Sequence, residues 1–309
     1  MTDLPTAATV EQYEAVGAEE LHAAVAHLCE RLGLPTERIA RFPQGSFPVY
    51  ALGRHLVLKL YPEVHADELA VESAALRALH GRLPLLTPGV LDTGYSGGWG
   101  YLLMERLYGE SLEDAWPHIP EQGRLDLLDQ LGRTLVALHR VPPPAELGPD
   151  DWQLFLKQQR SACVDRQRAL GVGEEWLSRI PEFLDSVALP EPARPALLHT
   201  EFMPAHVRVE ETVEGWTATG LLDFEPAMRG APEYDLVAVG IFLTRGRPVL
   251  LRRLLTAYGW PDDELAELPR VLMAYTLLHA QCHLPWFMRE LPPGGARSFE
   301  ELAEVWFGV

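Results

Sequence analysis

The chain has 309 residues, 47% of them hydrophobic and 23% charged, a profile that fits a soluble globular protein and allows two lobes of ordinary size. Its formal net charge of −18 repels nucleic acid and anionic membrane, and is permissive for a cationic substrate. No run of about 18 apolar residues predicts a membrane span, and Cys29, Cys163 and Cys282, scattered and without a C-x-x-C, argue against a disulfide framework or cysteine-rich zinc site and for a reducing cytoplasm.

The first stretch, MTDLPTAATVEQYEAVGAEE, is acidic and has no basic region before an apolar stretch, so a signal peptide is not expected. Residues 11 to 32 predict one helix, with Leu21, Val25, Leu28 and Leu32 at helical spacing. Gly45-Ser46 opens a strand-rich region in which Phe47, Val49 and Ala51 alternate, Gly53-Arg54 turns the chain, and Leu56 to Tyr61 forms the next strand. A helix from about Ala66 to His80 follows, then strands around Val90 to Thr93 and Tyr101 to Met104. Beyond Met104 helices dominate: Arg124 to Leu138, Trp152 to Leu170, Glu174 to Val187, Pro248 to Tyr258, Leu265 to His279 and Phe299 to Phe307, with a single hairpin at roughly 205 to 222. The expected architecture is α+β, a small antiparallel-sheet N-lobe over residues 1–104 and a larger, mostly helical C-lobe over 105–309.

Strand alternation puts Val57, Lys59 and Tyr61 on one face and Leu56, Leu58 and Leu60 on the other. A lysine in such a strand needs an anionic partner, because a lone buried charge is costly. Glu72 lies within the apolar stripe of Leu69, Leu76 and Leu79 on the following helix, and Glu68 one turn earlier is its rival. A strand lysine paired with a glutamate on the next helix is how kinases hold nucleotide phosphates. Upstream, the turn Pro43 to Tyr50 offers backbone amides around Gly45 and Ser46, although it matches no established phosphate-loop pattern. Further on come His199-Thr200-Glu201-Phe202-Met203-Pro204-Ala205-His206 and Leu222-Asp223-Phe224-Glu225. A hairpin whose turn spans Glu210 to Gly215, centred near 214 to 215, sets His206 opposite Asp223 and gathers Glu201 at the same end. Two carboxylates and an imidazole can bind a divalent ion and still leave a base.

His199 to Asp223 resembles the catalytic and metal loops of aminoglycoside phosphotransferases and choline-kinase-like enzymes, whose pattern is H-G-D-x-x-x-x-N, a hairpin, then I-D-F/W. Lys59, the E-x-x-x-L-x-x-L of Glu72 to Leu79, Tyr101 to Leu112, Leu131 to His139 and Gly230 to Leu236 agree in order and spacing. The layout is similar to that of hygromycin B kinases over about residues 40 to 309. The resemblance implies a protein-kinase-like two-lobed fold and transfer of the γ-phosphate of ATP or GTP to a hydroxyl of a small cationic molecule such as an aminoglycoside or aminocyclitol. On its charge and cysteine pattern the protein is expected to be cytoplasmic, with no nucleic-acid or membrane partner, and it is taken as a monomer. By the same resemblance Lys59, oriented by Glu72, binds phosphates; Gly45 and Ser46 form the phosphate turn; Glu105 to Leu107 hold the adenine; and Asp223 coordinates Mg²⁺, with Mn²⁺ as an alternative. Glu201 takes the catalytic position with His199 supporting its loop, and Asp235 anchors that loop.

Two departures stand out: the family's catalytic Asp is Glu201 and its metal-binding Asn is His206. The extra methylene of Glu201 moves its carboxylate by about 1 Å, a misplacement that can cost about a hundredfold. Imidazole suits transition metals better than Mg²⁺, so His206 reaches the phosphates, or Glu225 supplies the missing oxygen ligand, or the second metal site is absent. An inactive pseudokinase that binds nucleotide and a metal-dependent hydrolase are the alternative readings.

Overall fold

The computed structural model describes residues 3–43 and 45–309; Gln44, in the expected phosphate turn, lies outside the described residues. The chain forms two compact units: residues 1–81, 86–108 and 221–226, and residues 82–85, 109–220 and 227–309. Leu221 to Pro226, expected within 105–309, thus packs with the first unit, where the Leu221 N–H donates to Leu86 O at 2.9 Å.

The first unit contains α1 (Val10–Glu14), α2 (Ala18–Leu32), β1 (Ile39–Arg41), β2 (Val49–Leu52), β3 (Leu56–Tyr61), α3 (Glu68–Leu79), β4 (Val90–Ser96) and β5 (Trp99–Glu105). The single N-terminal helix expected over 11 to 32 is two, because Gly17 adopts an extended backbone (φ −68°, ψ 137°) at the start of α2. The five strands form an antiparallel sheet in the order β1-β2-β3-β5-β4, with Lys59 level with Val49 and Leu102. Leu58 and Leu60 on one face of β3 bury with Tyr50, Leu103 and the Leu21, Val25 and Leu28 stripe of α2. That packing leaves the opposite face of β3, with Lys59 and Tyr61, to meet α3.

The second unit begins with β6 (Glu110–Ser111) and α4 (Leu112–Ala115), followed by α5 (Glu121–Arg140), α6 (Trp152–Ala169), α7 (Glu174–Leu177) and α8 (Ile180–Ser186). Then come β7 (Ala196–Leu198), β8 (Val207–Thr212), β9 (Gly215–Leu221), β10 (Met228–Gly230) and α9 (Glu233–Ala238). The chain closes with α10 (Pro248–Tyr258), α11 (Leu268–Leu278), α12 (Leu284–Glu290) and α13 (Phe299–Phe307). The helix expected over 174 to 187 is divided, because Pro181 lacks an N–H and is accommodated only in the first turn of α8. Leu127, Leu128, Leu131, Leu135 and Leu138 of α5 are all fully buried. On α5, Gly132 lets α10 approach closely, since a Cβ there would stand 2.5 Å from Leu254 O.

Two small sheets complete this unit: β7 with β10, and β6-β8-β9. The β8–β9 turn is Val213-Glu214, shorter than the expected Glu210 to Gly215 and about one residue before the expected centre near 214 to 215. Thr212 sets it, its Oγ1 donating to Gly215 O at 2.9 Å and accepting from Glu214 N at 3.2 Å, while Gly215 supplies a φ of +117°. Gln130 of α5 caps the β9 edge, accepting from Ala218 N at 2.9 Å and donating to Trp216 O at 3.3 Å.

Candidate functional site

In the first unit, Lys59 is 4% exposed and Glu72 2%. Lys59 Nζ lies 2.8 Å from Glu72 Oε2 and 2.8 Å from Asp223 Oδ1, and also pairs with Glu225 Oε2. Glu68, the rival partner, instead bonds His65 Nδ1 at 3.0 Å; it sits at the start of α3, whereas Glu72 points inward between buried Leu69 and Leu76. Burial works against the Lys59 charge, but Glu72, Asp223 and Glu225 outweigh it and hold the ammonium well above the lysine range.

Three carboxyl groups crowd around one ammonium, and single oxygens of Glu72, Asp223 and Glu225 lie within 4.8 Å of one another. Glu225 registers the conflict: burial first, and then Asp223 and Glu72, push its carboxyl up to about 8 against the pull of Lys59. Asp223 is held at φ +67°, a left-handed conformation unusual outside glycine. An all-oxygen donor set carrying excess negative charge fits a hard cation such as Mg²⁺.

Glu225 gives a testable pH dependence. Its pKa is raised on folding, so its stabilising contribution is complete below the unfolded carboxylate range and is lost as pH rises toward 8. In chelator-treated protein, Glu225→Gln is therefore expected to gain about 2 kcal/mol over wild type at pH 8 relative to pH 5, read by urea unfolding at both pH values.

The expected nucleotide contacts lie in the same unit. Gly45 has φ +112°, and Ser46 O accepts the Tyr13 hydroxyl at 2.6 Å, fixing the turn to α1. After β5, Glu105 N donates to Gly89 O at 2.9 Å and Arg106 N to His55 O at 2.8 Å, so the chain entering Leu107 is held by its neighbours at these two residues.

In the second unit, β7 delivers His199 and Thr200 to Asp235, a fully buried residue in the first turn of α9. Asp235 Oδ2 accepts His199 N at 3.0 Å and Oδ1 accepts Thr200 N at 2.6 Å, clamping the chain where Thr200 takes φ +67°. Asp235 Oδ2 also accepts His139 Nε2–H at 2.9 Å. Because a carboxylate can only accept, a neutral His139 carries its proton on Nε2, and its Nδ1, 2.8 Å from the Tyr258 hydroxyl, then accepts from it. A buried polar chain thus runs from α10 through α5 to the loop.

Beyond the clamp, Met203 N donates to Glu201 O at 2.8 Å, and His206 Nδ1–H donates to the same carbonyl at 2.9 Å. The carbonyl can only accept, so a neutral His206 has its lone pair on Nε2. The His199 and His206 rings stack with centroids 5.7 Å apart. Glu201 and His206 are partly exposed. They belong to the second unit, while Lys59, Glu72, Asp223, Glu225, Gly45, Ser46, Glu105 and Leu107 belong to the first. The sequence reading overlooked Tyr61 as a partner of Glu72; its place on the Lys59 face was the available signal.

A family model described as the phosphotransferase enzyme family matches residues 38–271. No curated protein matches in sequence. Among solved structures, the GDP complex of aminoglycoside 2'-phosphotransferase-IIIa is 17% identical, with 92% of this chain and 98% of that chain covered and a TM-score of 0.70. The streptomycin–ATP ternary complex of APH(2")-IIa is 16% identical, covering 93% and 98% at a TM-score of 0.62. The macrolide 2'-phosphotransferase from Brachybacterium faecium is 21% identical, covering 92% and 97%, also at 0.62. At these identities the likeness is one of fold.

Proposed function

The chain belongs to the phosphotransferase enzyme family, and from that premise we propose that it moves the terminal phosphoryl group of ATP or GTP to a hydroxyl of a small cationic molecule, an aminoglycoside or aminocyclitol. The observation that carries this reading is the buried Lys59 held between Glu72 and Asp223. Such a lysine stays charged and is anchored by Glu72, and phosphate oxygens take over the donors that Asp223 and Glu225 occupy. The nucleotide complexes of the similar structures support nucleotide use, and the streptomycin complex supports an aminoglycoside acceptor.

In this reading the first unit holds the nucleotide. Lys59 binds its phosphates, Gly45 and Ser46 border them, and the backbone of Glu105 to Leu107 receives the base. Asp223 and Glu225 are the oxygen ligands for Mg²⁺, which when bound offsets phosphate charge. The second unit supplies the acceptor side. Glu201 accepts or orients the hydroxyl proton, and His199 and Asp235 hold its loop. An acceptor O–P bond forms, the bond from the γ-phosphorus to its bridging oxygen breaks, and the nucleoside diphosphate leaves with that electron pair. The net charge of −18 favours cationic acceptors and disfavours nucleic acid and anionic membrane. Free, buried thiols at Cys29, Cys163 and Cys282 suit a reducing, cytoplasmic compartment.

The test is a screen of aminoglycosides, aminocyclitols and macrolides with ATP or GTP and Mg²⁺, read by mass spectrometry. A cationic acceptor gaining one phosphoryl group is expected, with kcat/KM above about 10⁴ M⁻¹s⁻¹ for a good substrate. Nucleotide binding with no phosphorylated product from any acceptor would instead make the protein a binding module.

A further inference from the structure

Tyr61 lies two residues beyond Lys59 on the same face of β3 and is completely buried. Its hydroxyl donates to Glu72 Oε2, the oxygen that also meets Lys59 Nζ at 2.8 Å. The other oxygen, Glu72 Oε1, accepts Phe224 N at 3.4 Å. The Tyr61 ring packs against Phe47 with centroids 5.4 Å apart, and the Lys59 ammonium lies 5.6 Å from the Tyr61 ring centre and 5.8 Å from that of Phe47. Phe47 directly follows Gly45-Ser46.

Those contacts give Tyr61 two connections. A glutamate reaching from a helix has several rotatable bonds, and one ion pair leaves its carboxylate free to swing. The tyrosine ring has two torsions and is gripped on all sides, so its hydroxyl is a fixed reference for Glu72. By sharing the Glu72 charge it also leaves more of the Lys59 field for phosphate oxygens. Through Phe47, the same ring supports the turn that borders the phosphates.

We propose that Tyr61 is a positioning residue for nucleotide binding: its hydroxyl fixes the Glu72 carboxylate against Lys59, and its ring seats Phe47 and with it the Gly45-Ser46 turn. The assignment rests on the kinase reading above. A residue that merely fills the core would affect stability without selecting the nucleotide or depending on Glu72.

The experiment measures nucleotide affinity by titration calorimetry, and KM for both substrates, in wild type, Tyr61→Phe, Glu72→Gln and the double variant. Tyr61→Phe keeps the ring and removes the hydroxyl. It is expected to weaken nucleotide binding and raise nucleotide KM about tenfold, with acceptor KM unchanged. In the Glu72→Gln background the same change is expected to cost less than about twofold, because the hydroxyl acts through the carboxylate. Phe47→Leu is the second variant, leaving the hydroxyl bond in place and weakening nucleotide about threefold in either background. Tyr61→Phe within twofold of wild type, or an equal loss in both backgrounds, overturns the hydroxyl's role; unchanged affinity in Phe47→Leu overturns the seating of the turn. Wild-type protein without nucleotide affinity overturns the kinase reading and this assignment with it, whereas normal wild-type affinity with unaltered variants overturns this assignment alone.

Discussion

Asp223→Asn is expected to lower kcat/KM by about a thousandfold or more while leaving the protein folded. Asp223 supplies a carboxylate both to Lys59 and to the oxygen cluster proposed to hold Mg²⁺. The amide keeps the shape but loses the charge, and with it most of the affinity for a hard divalent cation. Asparagine is also among the few residues that tolerate the φ of +67° found here. Asp223→Ala should be as inactive yet less stable, because alanine takes the left-handed conformation at a cost of about 1 kcal/mol. The two variants therefore separate chemistry from backbone strain. Removing one of three crowded anions also relieves Glu225, whose carboxyl should move down from about 8. Kinetics with the best acceptor from the screen, alongside urea unfolding, measure both effects. An Asp223→Asn protein retaining a tenth of wild-type activity would remove Asp223 from the reaction.

The second large effect is on stability. Asp235→Ala is expected to cost about 3–5 kcal/mol, read from the urea midpoint. One carboxylate accepts from His199 N, Thr200 N and His139 Nε2–H, in a site with no exposure to water. Its removal leaves three donors without an acceptor, and buried unsatisfied donors are expensive. It also releases Thr200 from φ +67°, so the Glu201 loop loses its fixed geometry and activity falls with stability. Asp235→Asn should lose about half as much, because its NH₂ group must face at least one of those donors. Unfolding midpoints of Asp235→Ala and Asp235→Asn indistinguishable from wild type would show that the loop is held by other contacts.

How much of this was legible beforehand depended on whether the information was local. The Leu56–Tyr61 strand and the Pro248–Tyr258 and Phe299–Phe307 helices match their expected bounds, because side-chain period and nearby prolines and glycines fix such segments. Helix interruption at Gly17 and at Pro181 was written in the sequence too, but the apolar periodicity running across both breaks masked it. The pairing of Lys59 with a helix glutamate followed from burial cost, and helical phase already favoured Glu72 over Glu68, as the packing of α3 against the sheet bears out.

The sequence by itself thus determined most of the longer elements, the α+β character, and the side chains that bring chemistry: a strand lysine, a helix carboxylate and the motifs between His199 and Glu225. Only the tertiary structure decided their company. Lys59 meets Asp223 across 164 residues of chain, and Thr200 meets Asp235 across 35. Leu221 to Pro226 leaves the chain neighbours of β9 to pack with the first unit, bringing Glu225 onto the same lysine. No periodicity carries those choices. They arise because a buried ammonium collects carboxylates and a buried carboxylate collects N–H donors wherever the folded backbone offers them.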